Sequence, residues 1–262
     1  MANRVLLTSR AMHEMKAAKR PHFDYSVTSA GATSNFNVYY ATSLGAQGRE
    51  VAQAVLQKCE ADGKTLSGFF GLPQPRCNII VTPLSTNHDG SGGAYHHSCI
   101  ATDLYCDVQF TPTLNAAITS AFVVAEEVEV YEAIQNQGWD CGASNGEGLS
   151  RVLAESLYPG VLDSYSTAAD WLDTSTRPDW VTNNDNTDGD AEANGCSVLF
   201  LFWLNAVLKY DWQQITEAAA PTLAGTYQKL TGKTTAYADF RAVVDKMWPV
   251  GKASGVTVDN PF

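Results

Sequence analysis

Four glutamates fall between Ala125 and Glu132 in the run AEEVEVYE: Glu126, Glu127, Glu129 and Glu132. On a helix, Glu126 and Glu129 share neighbouring parts of one face, as do Glu129 and Glu132. Carboxylates this close repel, so water, a cation or a shared proton must relieve them. A solvated acidic face would use water; a cleft would use a ligand or a proton. A further acid, Glu147, lies between two glycines in SNGEGLSR (Ser144 to Arg151) at the expected start of a second helix. Glycines there permit close approach of the backbone to a ligand or a neighbour, and the helix dipole favours an acid in the first turn. Upstream, Tyr95, His96 and His97 stand together. Successive strand residues point to opposite faces, so only one of the two histidines can face a common site. A Glu–His pair there would support acid–base work without a metal.

Other motifs are weaker. Asn183 to Glu192 (NNDNTDGDAE) offers Asp185, Asp188 and Asp190 as a candidate calcium loop. It lacks EF-hand spacing and also reads as a solvated polar loop. Ser144 and Ser150 flank Glu147, but neither sits in a GxSxG elbow. Gly90 to Gly93 has no strand–helix context for a phosphate loop.

These residues need elements to position them. Residues 1–35 form an N-terminal extension with weak periodicity, expected to be partly disordered or to wrap as a strand. Asn35 to Tyr40 alternates as a half-buried strand. Gly48 to Gly63 places Val51, Val55, Leu56 and Cys59 on one helical stripe. Cys77 to Leu84 reads as a buried strand, Ser85 to Gly93 as a loop, and Ala94 to Val108 as a strand with a turn at Thr102–Asp103. Leu114 to Gln137 lacks glycine and proline and predicts one long helix. Gly138 to Gly148 is a loop, and helices follow over Glu147–Leu157, Leu162–Leu172, Cys196–Tyr210, Trp212–Ala219, Thr222–Thr231 and Ala236–Met247. The expectation is an α+β chain with one domain over residues 36–262. Its part over 36–110 is strand-rich, with a small mixed or antiparallel sheet, and its part over 111–262 is mostly helical.

A helix with a Glu-centred motif, followed about 20 residues later by a helix with another Glu, resembles the gluzincin clan of zinc peptidases, the thermolysin- and aminopeptidase-like enzymes. That clan carries HExxH on the first helix and a third, glutamate ligand on the second. The Tyr95–Val108 strand stands where the clan has its cleft-lining edge strand. GEGLSR is similar to the sequence around the third ligand, and Gly195–Leu208 with Asp211–Ile215 resembles the buried C-terminal helix. The likeness spans residues 36 to 232. The motif itself is altered. With Glu127 at the water-activating position, the two histidines become Glu126 and Val130; with Glu126 there, they become Ala125 and Glu129. Neither alignment retains a zinc histidine, so zinc is not expected at the helix. The resemblance implies a metallopeptidase-like protein, non-catalytic or atypical, that holds a peptide or glycan ligand in an acidic cleft. The alternative is a hydrolase of peptide or glycan bonds, with Glu127 as base and Glu126, Glu129 or Glu147 as partner.

The bulk properties narrow the partners. The formal net charge is −11, and five of the basic residues lie in the first 20 positions. The acidic remainder repels phosphate backbones, which argues against nucleic acid. No apolar run reaches the roughly 18 residues of a membrane span. The six cysteines, without metal spacing, predict three disulfides, with Cys59–Cys77, Cys99–Cys106 and Cys141–Cys196 preferred, and hence a secreted or extracytoplasmic location. The first residues lack a hydrophobic signal core, since Val5 to Leu7 is too short.

Overall fold

A computed structural model describes residues 26–83, 93–107, 115–186 and 189–262. Its strands are β1 (Val27–Ala32), β2 (Phe36–Ala41), β3 (Cys77–Thr82), β4 (Ala94–Tyr95) and β5 (Asp103–Asp107). They form one sheet in the order β1-β2-β3-β5-β4. The central pairs β2/β3 and β3/β5 are parallel, and the outer pairs β1/β2 and β4/β5 antiparallel. The sheet is therefore mixed. Strand β3 is buried along almost its whole length, as expected for a central parallel strand whose faces are both covered.

Nine α-helices follow the chain: α1 (Gly45–Leu56), α2 (Cys59–Phe70), α3 (Ala116–Gln135), α4 (Ser144–Leu157), α5 (Ala168–Leu172), α6 (Ala191–Phe202), α7 (Trp212–Glu217), α8 (Leu223–Thr231) and α9 (Ala236–Met247) among the described residues. The strand-rich start and helical remainder make the chain α+β.

Several boundaries differ from the sequence reading: β1 lies within the expected N-terminal extension, α4 starts at Ser144 inside the expected Gly138–Gly148 loop, the Leu162–Leu172 helix shrinks to α5, and the Cys196–Tyr210 helix becomes α6, which starts earlier and ends at Phe202. Two further differences have a plain geometry. The stripe over Gly48–Gly63 belongs to two helices that break at Gln57–Lys58. An unbroken helix over 45–70 would be about 39 Å long, whereas the six-residue strands it covers reach only about 20 Å. The single strand expected over Ala94–Val108 is instead two antiparallel strands joined by residues 96–102. The expected loop at Ser85–Gly93 and the first 25 residues lie almost entirely or wholly outside the described residues.

Helix α3 organises the molecule. Asn115 caps it by accepting from the Ala117 N–H at 2.9 Å, and Asn136 ends it in the left-handed conformation with φ 48°, the usual terminator geometry. Its side chains are buried all round from Thr119 to Glu132, Ala125 excepted as half-buried. Two apolar cores meet across it. Phe122, Val123 and Val130 join the core between the sheet and α1, with Phe36, Val38 and Ile79. Val124, Val128 and Tyr131 join the helical core, with Trp171, Phe200 and Trp203. A helix that is apolar in every direction is one buried on all sides, so every glutamate on α3 is carried into the interior.

Candidate functional site

The four α3 glutamates are between 0 and 2 % exposed and Glu147 is 3 % exposed. Buried carboxylates are costly without partners, so where each points decides what it does. Phe122, Ala125, Glu126 and Glu129 form a stripe at helical spacing, and all four line one cavity with Glu147 of α4. Ala94 of the edge strand β4 lines it too. The cavity volume is about 50 Å³. A water needs roughly 10–15 Å³ on this measure, so the space suits one terminal group of a ligand rather than a whole residue.

Glu147 reaches this cavity because of its two glycines. A Cβ on Gly146 would stand 2.5 Å from a Glu132 carboxylate oxygen and would strike the Asp140 backbone. A Cβ on Gly148 would lie 2.6 Å from the Ser197 side chain on α6. Both glycines serve close approach to neighbours, and this seats α4 against α3 and α6. Arg151, one turn on, donates from Nε to Glu147 Oε1 at 2.8 Å and from Nη1 to the Tyr165 carbonyl at 3.2 Å.

His96 is the histidine that turns inward. Its Nε2 lies 2.9 Å from Glu129 Oε2, and its Nδ1 lies 3.0 Å from the Ala101 carbonyl oxygen. A carbonyl only accepts, so Nδ1 carries a proton. The Nε2–Oε2 contact must then hold a proton as well, on the imidazole or on the carboxyl. His97 is exposed. Tyr95 is half-buried and stacks on Tyr105 with ring centroids 5.0 Å apart.

Glu127 points elsewhere and does not line the cavity. Its carboxyl lies over Gly63 of α2, where an added Cβ would come within 2.7 Å of Oε1 and 3.0 Å of the Phe36 ring. Among the described residues neither carboxyl oxygen has a hydrogen-bond partner. Burial, reinforced by Asp62 and Glu60, raises its pKa well above the ordinary carboxylate range, which favours the protonated form. The nearby thiols of Cys59 and Cys77 are likewise pushed up to about 12, chiefly by burial.

Three charged residues that line the cavity were given no role from sequence: Arg151, Glu155 and Asp259. Arg151 had a local signal, the i,i+4 spacing from Glu147. Asp259 had none, because the chain end is brought to the rim by tertiary packing. Asp259 accepts from Ser166 Oγ and from the Thr167 and Ala168 N–H groups. Burial pushes the Glu155 pKa up, opposed by the Gly160 N–H it accepts from. The lining thus contains five carboxyl groups and one guanidinium.

Two residues of the candidate calcium loop make structural contacts. Asp190 caps α6 by accepting from the Glu192 and Ala193 N–H groups. Asp185 docks on the start of α4, donating its N–H to Ser144 Oγ and accepting the Ser144 N–H. Asp188 lies outside the described residues.

The disulfide pattern corrects the expected pairing. Cys99 is bonded to Cys141, 42 residues later, with Cα atoms 6.0 Å apart. Neither Cys99–Cys106 nor Cys141–Cys196 forms, and Cys59 and Cys77 are buried thiols. The bond joins the turn that carries His96 to the loop after α3. Among the described residues no helix is long and apolar enough to cross a membrane. No family model matches the chain, nor does any curated protein or solved structure.

Proposed function

We propose that this chain is a metallopeptidase-like protein with an altered zinc motif, working outside the cytoplasm, that holds a peptide or glycan ligand in its acidic cavity without ordinary zinc-dependent hydrolysis. The observation that carries this reading is the convergence of Glu126, Glu129 and Glu147, from two helices, on one cavity beside an edge strand. That is the order of parts on which the gluzincin resemblance rests. Within it, the alignment with Glu126 at the water-activating position is favoured, since Ala125, Glu126, Glu129 and Glu147 all line the cavity and Glu127 does not. Ala125 has no donor atom, so the first ligand position is empty of chemistry. The disulfide accords with an oxidising compartment.

Five carboxyl groups against one guanidinium favour a ligand with a cationic tip, such as a lysine side chain or an amino sugar. Charge-assisted hydrogen bonds contribute about 1.5–3 kcal/mol each, or roughly 10- to 150-fold in affinity. Calorimetric titration with a lysine-containing peptide and its acetyl-lysine counterpart tests this. Binding of the first is expected to weaken at least tenfold on acetylation and on Glu126→Gln. Equal binding of both peptides counts against a cation-holding cleft.

One observation favours the hydrolytic alternative. Glu126 shares its cavity with the apolar walls Phe122 and Leu162, a setting in which a carboxylate can serve as general base. Product release from peptide or oligosaccharide substrates, abolished by Glu126→Gln, would establish it.

A further inference from the structure

The disulfide sits against the site rather than apart from it. The ligand-capable atoms of His96, Glu129 and Cys141 all lie within 4.8 Å of one another, and all three residues are buried. Among the described residues this is the only such grouping of three or more.

We propose that reduction of the Cys99–Cys141 bond creates a site for a borderline divalent cation of the zinc type, held by His96 Nε2, a Glu129 carboxylate oxygen and the Cys141 thiolate. The inference does not depend on the ligand proposed above. Imidazole, carboxylate and thiolate together suit zinc or cobalt(II). Three protein ligands leave a fourth position for water, and Glu129 lines the cavity, which gives an entry path. The Ala101 carbonyl already fixes the His96 ring through Nδ1, the kind of outer contact that orients metal-bound histidines. His96 stands three residues before Cys99, so the bond that restrains its turn also masks the third ligand.

The steps balance. A dithiol or phosphine reductant supplies two electrons, the S–S bond breaks, and two protons complete the Cys99 and Cys141 thiols. On metal binding, Cys141 releases its proton and the proton held between His96 Nε2 and Glu129 is displaced. The site is therefore closed when the protein is oxidised and available when it is reduced.

Cobalt(II) titration of the full chain tests this, before and after reduction with a phosphine that is then removed. Reduced protein is expected to bind one cobalt per chain with a near-ultraviolet thiolate charge-transfer band, and oxidised protein is expected to show no such band. Cys99→Ser leaves Cys141 unbonded and is expected to bind without reductant, while Cys141→Ser abolishes the band. The other thiols are present in both variants and serve as the internal control. If Cys99→Ser fails to fold by near-ultraviolet circular dichroism, the reduced wild type decides alone. Reduced protein that shows no charge-transfer band, or Cys141→Ser that retains it, overturns the proposal.

Discussion

Replacing Glu127 by Gln separates the one α3 glutamate that faces away from the cavity from those that line it. The carboxyl is fully buried over Gly63 beside Phe36, with its pKa raised well above the usual value of 4.5 by burial, then by Asp62 and Glu60. Below about pH 4.5 the folded and unfolded chains both hold the proton, and the group has no pH effect. Above that, the unfolded chain releases the proton and the folded chain keeps it. Stability then falls by about 1.4 kcal/mol per pH unit up to the raised folded value. Glutamine has nearly the same shape and does not titrate. Urea unfolding of both proteins at pH 5, 6 and 7 is expected to show Glu127→Gln gaining on the wild type as pH rises, at up to about 1.4 kcal/mol per pH unit. Other titrating groups are common to both proteins and cancel in the difference. Curves that stay parallel within about 0.5 kcal/mol, or a Glu127→Gln variant that loses on the wild type as pH rises, would refute the upward shift at Glu127. The same variant is expected to leave lysine-peptide binding unchanged, in contrast to Glu126→Gln.

Two further outcomes follow from the geometry. Ala125→His is expected to restore a third donor beside Glu129 and Glu147, so that the oxidised variant binds about one zinc per chain by elemental analysis; the Arg151–Glu147 pair competes and will keep the affinity modest. Absence of zinc in the folded variant would argue against the gluzincin-like alignment. Replacing both Cys99 and Cys141 by alanine opens a 42-residue loop and is expected to cost about 2–4 kcal/mol of unfolding free energy, read as a lower urea midpoint than that of the wild type.

Much of the architecture was legible along the chain. The run from 116 to 135 has no glycine or proline and starts beside a capping Asn115, so local propensity and capping agree on one helix. The early strands showed as β-branched or alternating runs, and the later helices as periodic ones. Glu147 between its glycines marked a tight helix start, but His96 and His97 were expected on a strand and lie instead in the turn after Tyr95, so the packing of that turn on α3, and not strand alternation, brings His96 inward. The direction of each α3 glutamate was not legible. A helix with a polar stripe announces its outer face, but α3 is apolar on every side. Helical spacing groups Glu126 with Glu129 but does not say which of the glutamates meet a cavity, and only the packing of α2 on one flank and α4 on another decides that. The disulfide was hidden for a related reason. Six cysteines permit 15 pairings, and the choice depends on which loops meet in space, here the turn after β4 and the loop after α3. Local chemistry is written in neighbouring residues, whereas the convergence of β4, α3 and α4 with the chain end at Asp259 is decided by long-range burial that no short window of sequence contains.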